Sequence, residues 1–190
     1  MQDDLFGARP PEPLHRLFFA FVPDEHGLTV IAPVVEGVRS QFPNARWVSP
    51  SRQHMTLVYL GESAGRREDW IAQACAAMEG WRAGAFDVEF DHLRALGNPR
   101  RPALALTASR PSEALQVLWR DLQQRMRRAG FRGLQGNAFL PHLTVGYTDP
   151  SPMLPAVPAV RMQASVIRLL LSVEGAAAYA CLREWPLSAG

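Results

Sequence analysis

The chain has 190 residues, of which 47% are hydrophobic and 20% charged, a composition that supports a buried core and excludes an intrinsically disordered protein. Its formal net charge of +2 is too small to indicate nucleic-acid binding by charge alone. All twenty basic residues are arginine. The absence of lysine excludes a lysine–nucleotide intermediate, a Schiff base and a phosphate-loop lysine.

The predicted strands and helices alternate after a flexible, proline-rich tail over residues 1–13. Apolar runs predict strands over residues 14–22, 47–48, 53–60, 86–96, 103–108, 139–147, 162–173 and 178–185. Helical spacing and capping signals predict helices over residues 23–42, 66–79 and 111–130. Pro33 is expected to kink the first helix or to mark its true first turn. This order predicts an α+β fold with mostly antiparallel sheets.

Cellular context follows from what the chain lacks. No apolar run approaches the ~20 residues that span a bilayer, and Asp3 and Asp4 stand where a signal peptide carries basic residues. Cys75 and Cys181 form neither a metal-spaced cluster nor a disulfide framework. We therefore expect a cytoplasmic monomer without membrane attachment, with residues 14–190 forming one domain.

The pattern His-x-Thr-aliphatic occurs once in each half of the chain, at His54-Met55-Thr56-Leu57 and at His142-Leu143-Thr144-Val145. Both copies lie in predicted strands, where residues two positions apart share a face. Each copy therefore presents an imidazole and a hydroxyl on one surface and turns its two apolar residues into the core. Two such strands facing each other predict a two-lobed, pseudo-symmetric fold with both motifs in a central cleft.

Paired histidines predict acid–base chemistry. An imidazole titrates near pH 6.5, so one copy can accept a proton while the other donates one. This combination suits in-line cleavage of a phosphodiester, with hydroxyls stabilising the non-bridging oxygens. Two histidines without a third ligand make a poor zinc or two-metal site, so we expect neither metal nor cofactor. The residues alone leave the two histidines interchangeable.

With its flanking residues, the motif pair resembles the 2H phosphoesterase superfamily, and within it the bacterial and archaeal RNA 2′,3′-cyclic phosphodiesterases, also called 2′-5′ RNA ligases. The resemblance covers almost everything after residue 13. Its supporting stretches are Arg16-Leu17-Phe18-Phe19-Ala20-Phe21, Trp47-Val48-x-Pro50, Tyr59-Leu60-Gly61-Glu62, Asn98-Pro99-Arg100-Arg101-Pro102, Leu140-Pro141 before the second motif, and Leu171-Ser172-x-x-x-Gly175 with Tyr179.

The resemblance implies two lobes, each an antiparallel sheet with outer helices, around a central cleft. It implies hydrolysis of an RNA 2′,3′-cyclic phosphate to a 2′-phosphate. In that reaction His54 corresponds to the proton donor to the departing 3′ oxygen and His142 to the proton acceptor that activates water. Thr56 and Thr144 correspond to the phosphate-binding hydroxyls.

Two further residues are predicted substrate contacts. Arg101 lies in the Asn-Pro-Arg-Arg-Pro turn that belongs to the resemblance. Tyr147 follows the second motif near the place where family members often have an arginine. We expect Tyr147 to hydrogen-bond the substrate or to stack on a base.

Several alternatives remain open from the sequence. The same chemistry run in reverse is an ATP-independent 2′-5′ RNA ligation, and the substrate could be a small cyclic nucleotide instead of RNA. A non-catalytic RNA-end-binding module is a third alternative, from a different class of protein. A bell-shaped pH–rate profile would indicate the enzyme, whereas salt-dependent binding without turnover would indicate the module.

Overall fold

The computed structural model describes residues 12–134, 136, 138–150 and 153–188, so the predicted tail over residues 1–13 lies almost entirely outside the described residues. The helices are α1 Glu25–Arg39, α2 Glu68–Ala77 and α3 Glu113–Arg128, with a short 3₁₀ turn at Pro50–Arg52. The strands are β1 Leu14–Phe21, β2 Arg46–Trp47, β3 Met55–Ala64, β4 Phe86–Phe90, β5 His92–Leu96, β6 Ala103–Thr107, β7 His142–Tyr147, β8 Val160–Ala164, β9 Val166–Val173 and β10 Ala180–Pro186.

The strands form two four-stranded sheets and one two-stranded sheet. The first large sheet has the order β10-β9-β1-β3 and the second has the order β2-β7-β6-β5, while β4 pairs with β8. Every pairing between these strands is antiparallel. The predicted α+β class with mostly antiparallel sheets is confirmed, and each large sheet contains one motif strand, β3 or β7.

Local capping and apolar stripes explain the helices. The Asp24 carboxylate accepts a hydrogen bond from the Gly27 amide at 2.8 Å and so begins α1. Pro33 lies inside α1, which continues to Arg39, so the alternative that Pro33 marks the first turn is wrong. The early cap and the burial of Ile31, Val34, Val35 and Val38 stabilise the helix through the proline.

In the structure two of the predicted strands are divided and a third is extended at its end, while the others differ by a few terminal residues. The predicted strands 86–96 and 162–173 each divide into two, at Asp91 and at Ser165, because the chain passes there from the two-stranded sheet into a large sheet. The strand predicted over residues 53–60 continues through Gly61 to Ala64. Gly61 allows this because it adopts φ 144° in an irregular stretch of the β1–β3 pairing, a conformation open to glycine.

One continuous core contains residues from both large sheets and all three helices. The apolar residues of both motifs, Met55, Leu57, Leu143 and Val145, are fully buried in it, as the alternation predicts. The shared core supports the prediction that residues 14–190 form one domain, which stays a prediction. None of the described helices is long and apolar enough to cross a membrane.

Candidate active site

The two motifs meet in one cavity. Strands β3 and β7 contact each other, and a cavity of about 530 Å³, here called the motif cavity, lies beside them. Its lining residues are Thr56, Leu96, Gly97, Ala103, Gly136, Ala138, Phe139, Leu140, His142 and Thr144. His54 lies close enough to His142 for the charges of the two imidazoles to interact. Three of the four motif side chains, Thr56, His142 and Thr144, therefore line the motif cavity, while His54 is not part of the lining and lies near His142.

Both histidines are held by the same backbone interaction. Nδ1 of His54 lies 2.9 Å from the carbonyl oxygen of Arg52, and Nδ1 of His142 lies 2.9 Å from that of Leu140. A carbonyl oxygen only accepts, so we assign the proton of each neutral ring to Nδ1 and the lone pair to Nε2. Each Nε2 can then accept a proton when its ring is neutral and donate one when it is charged.

The surroundings of the two histidines differ. His54 is half-buried, with its ring centroid 5.1 Å from that of Phe18 and 5.0 Å from that of Tyr179. Burial lowers the pKa of His54 below 6.5, and the charges of His142 and Arg52 lower it further, against the opposing effect of the Arg52 carbonyl. The Leu140 side chain, at the corresponding place before His142, is aliphatic and lines the motif cavity.

We expect the His54 imidazole to titrate with a midpoint below 6.5, because the fold disfavours its charged form. The unfolded chain titrates near 6.5 and binds the proton more readily, so this residue lowers the free energy of unfolding as pH falls below about 6.5. An NMR titration of the ring nitrogens measures the midpoint, with His54→Gln assigning the signal. A midpoint at or above 6.5 would contradict the prediction.

Tyr147 lies on the same face of the second sheet as Thr144. Thr144 pairs with Ala105 and Tyr147 pairs with Ala103, because a register shift inserts one extra residue into β7. Ala103 and Ala105 are two apart on β6 and share a face, so their partners do too. Tyr147 is 37% exposed but does not line the motif cavity, so its contact with substrate stays a prediction.

Arg101 is further from the motifs. It lies in the loop between β5 and β6, where its amide donates to the Asn98 carbonyl at 3.1 Å. Its side chain is exposed and does not line the motif cavity, although Gly97 of the same loop and Ala103, the first residue of β6, do. A contact between Arg101 and substrate stays a prediction.

Sequence reasoning missed Arg52 as a neighbour of His54. Its Nη1 donates to the carbonyl of Ala176 at 2.7 Å, and its guanidinium lies 4.5 Å from the centre of the Tyr179 ring. Tyr179 in turn contacts His54 edge to face. The sequence offered one indication, which is that Arg52 stands two residues before the motif histidine His54. The backbone carbonyl of Arg52 is the group that His54 Nδ1 contacts.

Other features of the described residues do not form part of this site. A cavity of about 570 Å³ lies near β4 and β8, shares no lining residue with the motif cavity, and is lined by residues including Asp87, Glu89 and Arg161. Arg161 is paired there with Glu89 at 2.6 Å. Within the described ranges, no group of three or more His, Cys, Asp or Glu side chains could hold a metal ion.

An α+β protein whose two antiparallel sheets bring paired His-x-Thr motifs to one cavity has the architecture of the 2H phosphoesterases. The chain belongs to the 2′-5′ RNA ligase superfamily, whose family model matches residues 22–177. This confirms the resemblance found in the sequence.

Relatives and solved structures agree with the family. The chain is 26% identical over 133 residues to the RNA 2′,3′-cyclic phosphodiesterase of Thermotoga maritima, covering 69% of this chain and 68% of that protein. It is 26% identical over 131 residues to the protein of the same name from Archaeoglobus fulgidus, covering 69% and 71%. The crystal structure of apo E. coli LigT matches with a TM-score of 0.74 at 22% identity, covering 93% of this chain and 99% of LigT. Family and relatives support a phosphoesterase activity, and the LigT match confirms the two-lobed fold.

Proposed function

We propose that the protein hydrolyses RNA 2′,3′-cyclic phosphate ends to 2′-phosphomonoesters by general acid–base catalysis. The observation that carries the proposal is the matched pair of histidines, each fixed through Nδ1 and each with Nε2 available, beside a cavity lined by two threonines. The names of the Thermotoga and Archaeoglobus relatives support the substrate.

In the proposed reaction, Nε2 of His142 accepts a proton from water while the water oxygen bonds to phosphorus. The bond from phosphorus to the 3′ oxygen breaks, and Nε2–H of His54 gives its proton to that oxygen. Hydroxyls of Thr56 and Thr144 donate to the non-bridging oxygens, where charge is concentrated. Exchange with solvent returns His142 to the neutral form and His54 to the charged form.

The lowered pKa of His54 is compatible with its role as the acid. A group with a low pKa is a strong acid once protonated, which favours proton transfer to a leaving oxygen. A bound phosphodiester brings a negative charge close to the imidazole, which favours the protonated form. The assignment of acid to His54 and base to His142 rests on the family resemblance.

The proposal is tested with a short RNA that ends in a 2′,3′-cyclic phosphate, incubated with the protein in EDTA. We expect a 2′-phosphate end, formed without added metal, because the proposed chemistry needs only protein side chains. A 3′-phosphate product would contradict the assignment of the leaving oxygen. A strict requirement for a divalent ion would contradict metal independence.

The same assay separates the remaining alternatives. LigT has been crystallised with 3′-AMP and with phosphate, which supports including a cyclic mononucleotide beside the RNA. Faster turnover of the mononucleotide would indicate a small-molecule substrate. Joined products from 2′,3′-cyclic phosphate and 5′-hydroxyl ends would indicate ligation, and binding without turnover of either substrate would indicate a binding module.

A further inference from the structure

Arg52 is held in a fixed position beside His54. It ends the 3₁₀ turn Pro50–Arg52, and its half-buried side chain reaches the connection between β9 and β10. There the Ala176 carbonyl accepts from Nη1, and the Tyr179 ring lies under the guanidinium. One hydrogen bond and one cation–π contact therefore restrict an otherwise flexible side chain.

The charge of Arg52 has no counter-ion among the described residues. A guanidinium has five N–H donors, and the part of the chain that the structure describes uses one of them. Other arginines are paired with carboxylates, for example Arg168 with Glu184 at 2.6 Å and Arg16 with Glu62 at 3.1 Å. A half-buried, immobilised and unpaired guanidinium is suited to binding an anion.

The anion that Arg52 would bind must approach His54. Tyr179 contacts both residues, and the charge of Arg52 acts on the His54 imidazole. At the corresponding position of the second motif, Leu140 provides no charge. Of the two residues that precede the motif histidines by two positions, only Arg52 therefore carries a charge, and this charge lies next to His54.

We propose that Arg52 binds a phosphate oxygen of the substrate beside His54. This inference rests on the proposed function and names a further residue of the same site. Phosphate geometry matches the planar fork of arginine, which can donate two parallel hydrogen bonds. The oxygen belongs either to the reacting cyclic phosphate or to the 5′ phosphate of the same nucleotide, and two substrates distinguish these sources.

The experiment compares Arg52→Gln, Arg52→Lys and the control Arg120→Gln, which removes an exposed arginine of α3. We expect Arg52→Gln to lower kcat/KM for a 2′,3′-cyclic nucleotide by about 10- to 100-fold, with a smaller loss in Arg52→Lys. Arg120→Gln should be unchanged. An equal loss with and without a 5′ phosphate identifies the reacting phosphate, and a loss confined to the 5′-phosphorylated substrate identifies the 5′ phosphate.

A second measurement distinguishes anion binding by Arg52 from a structural role in which Arg52 only positions Tyr179. The affinity for inorganic phosphate, measured by NMR of the histidine rings, should fall in Arg52→Gln, and guanidinium ion should restore part of the activity of Arg52→Ala. The groups that face His54 are Arg52, His142, Phe18 and Tyr179. Loss of the Arg52 charge should accordingly raise the pKa of His54.

The two proposals fail in different ways. Unchanged kcat/KM and unchanged phosphate affinity in Arg52→Gln would overturn the role of Arg52 while leaving the hydrolysis intact. A wild-type protein that binds phosphate through Arg52 but cleaves no cyclic phosphate would overturn the proposed function alone. If Arg52→Gln does not fold, as judged by thermal unfolding, Arg52→Lys provides the same comparison. A wild-type KM and a wild-type phosphate affinity in Arg52→Lys would contradict the proposed pair of hydrogen bonds from the planar guanidinium to phosphate.

Discussion

Replacing His142 or His54 with alanine is expected to lower turnover of a 2′,3′-cyclic phosphate by about 10²- to 10⁴-fold for each residue. Each substitution removes the only group that the proposal assigns to one proton transfer. Because the two transfers belong to one displacement, the double variant should lose little more than the worse single variant. Steady-state kinetics on the four proteins measures both the individual losses and their non-additivity.

The control is His26→Ala, which removes an exposed imidazole from the first turn of α1. It should keep full activity. His142 is half-buried and makes one hydrogen bond through its ring, to Leu140, so its loss should leave the thermal unfolding midpoint nearly unchanged. Near-full activity in either motif variant, with the fold intact, would show that the paired acid–base mechanism is wrong.

The sequence predicts those parts of the fold that depend on local periodicity. Alternation places Met55 and Leu57 in the core and leaves Thr56 outside it, and the stripe of α3 buries Leu115, Leu122 and other residues. Such patterns reflect the geometry of one strand or one helix, with periods of 2 and 3.6 residues. These periodic patterns can be recognised in the sequence without knowledge of contacts between distant residues.

Sheet membership was not predictable in the same way. The alternation of buried residues shifts by one position at the breaks at Asp91 and Ser165, since Phe90 and Leu93 are both buried, as are Ala164 and Ile167. Such a shift marks the end of a strand but does not identify the partner of the next one. Whether a strand pairs with one sheet or another depends on partners far along the chain. β4 pairs with β8, about seventy residues later, and only that pairing reveals the small third sheet.

The candidate site shows the same division between local and distant information. The two motifs are visible in the sequence, and their strands present them as expected. The contact between Arg52 and Ala176 joins residues 124 positions apart, and no local sequence pattern predicts it. Tyr147 stands an odd number of residues from Thr144, so simple alternation would place the two on opposite faces of the sheet, and the register shift in β7 places them on one face.

The pseudo-symmetry of the site is broken by its surroundings. The motif backbones hold both imidazoles identically, through the carbonyl two residues upstream. Aromatic rings and a cation surround His54, whereas His142 lies beside the aliphatic Leu140. The difference between the two histidines therefore lies in their environments and not in the motifs, and burial lowers the pKa of His54.

Removal of the hydroxyls should affect the chemical step. We expect Thr56→Val and Thr144→Val each to lower kcat by about 10²- to 10³-fold, the range seen when a donor to developing negative charge is lost. Valine has nearly the shape of threonine, and both positions are half-buried at the edge of the motif cavity. Stability should therefore change little.

Serine variants provide the matched control for the threonines. Thr56→Ser and Thr144→Ser keep the hydroxyl and should keep most of the activity, so the comparison isolates the donor from the methyl group. A donor that acts mainly in the transition state lowers kcat, whereas one that binds ground state and transition state equally raises KM alone. A rise in KM at constant kcat would thus assign the threonines to substrate binding. Equal activity of the valine and serine variants would show that neither hydroxyl contacts the phosphate.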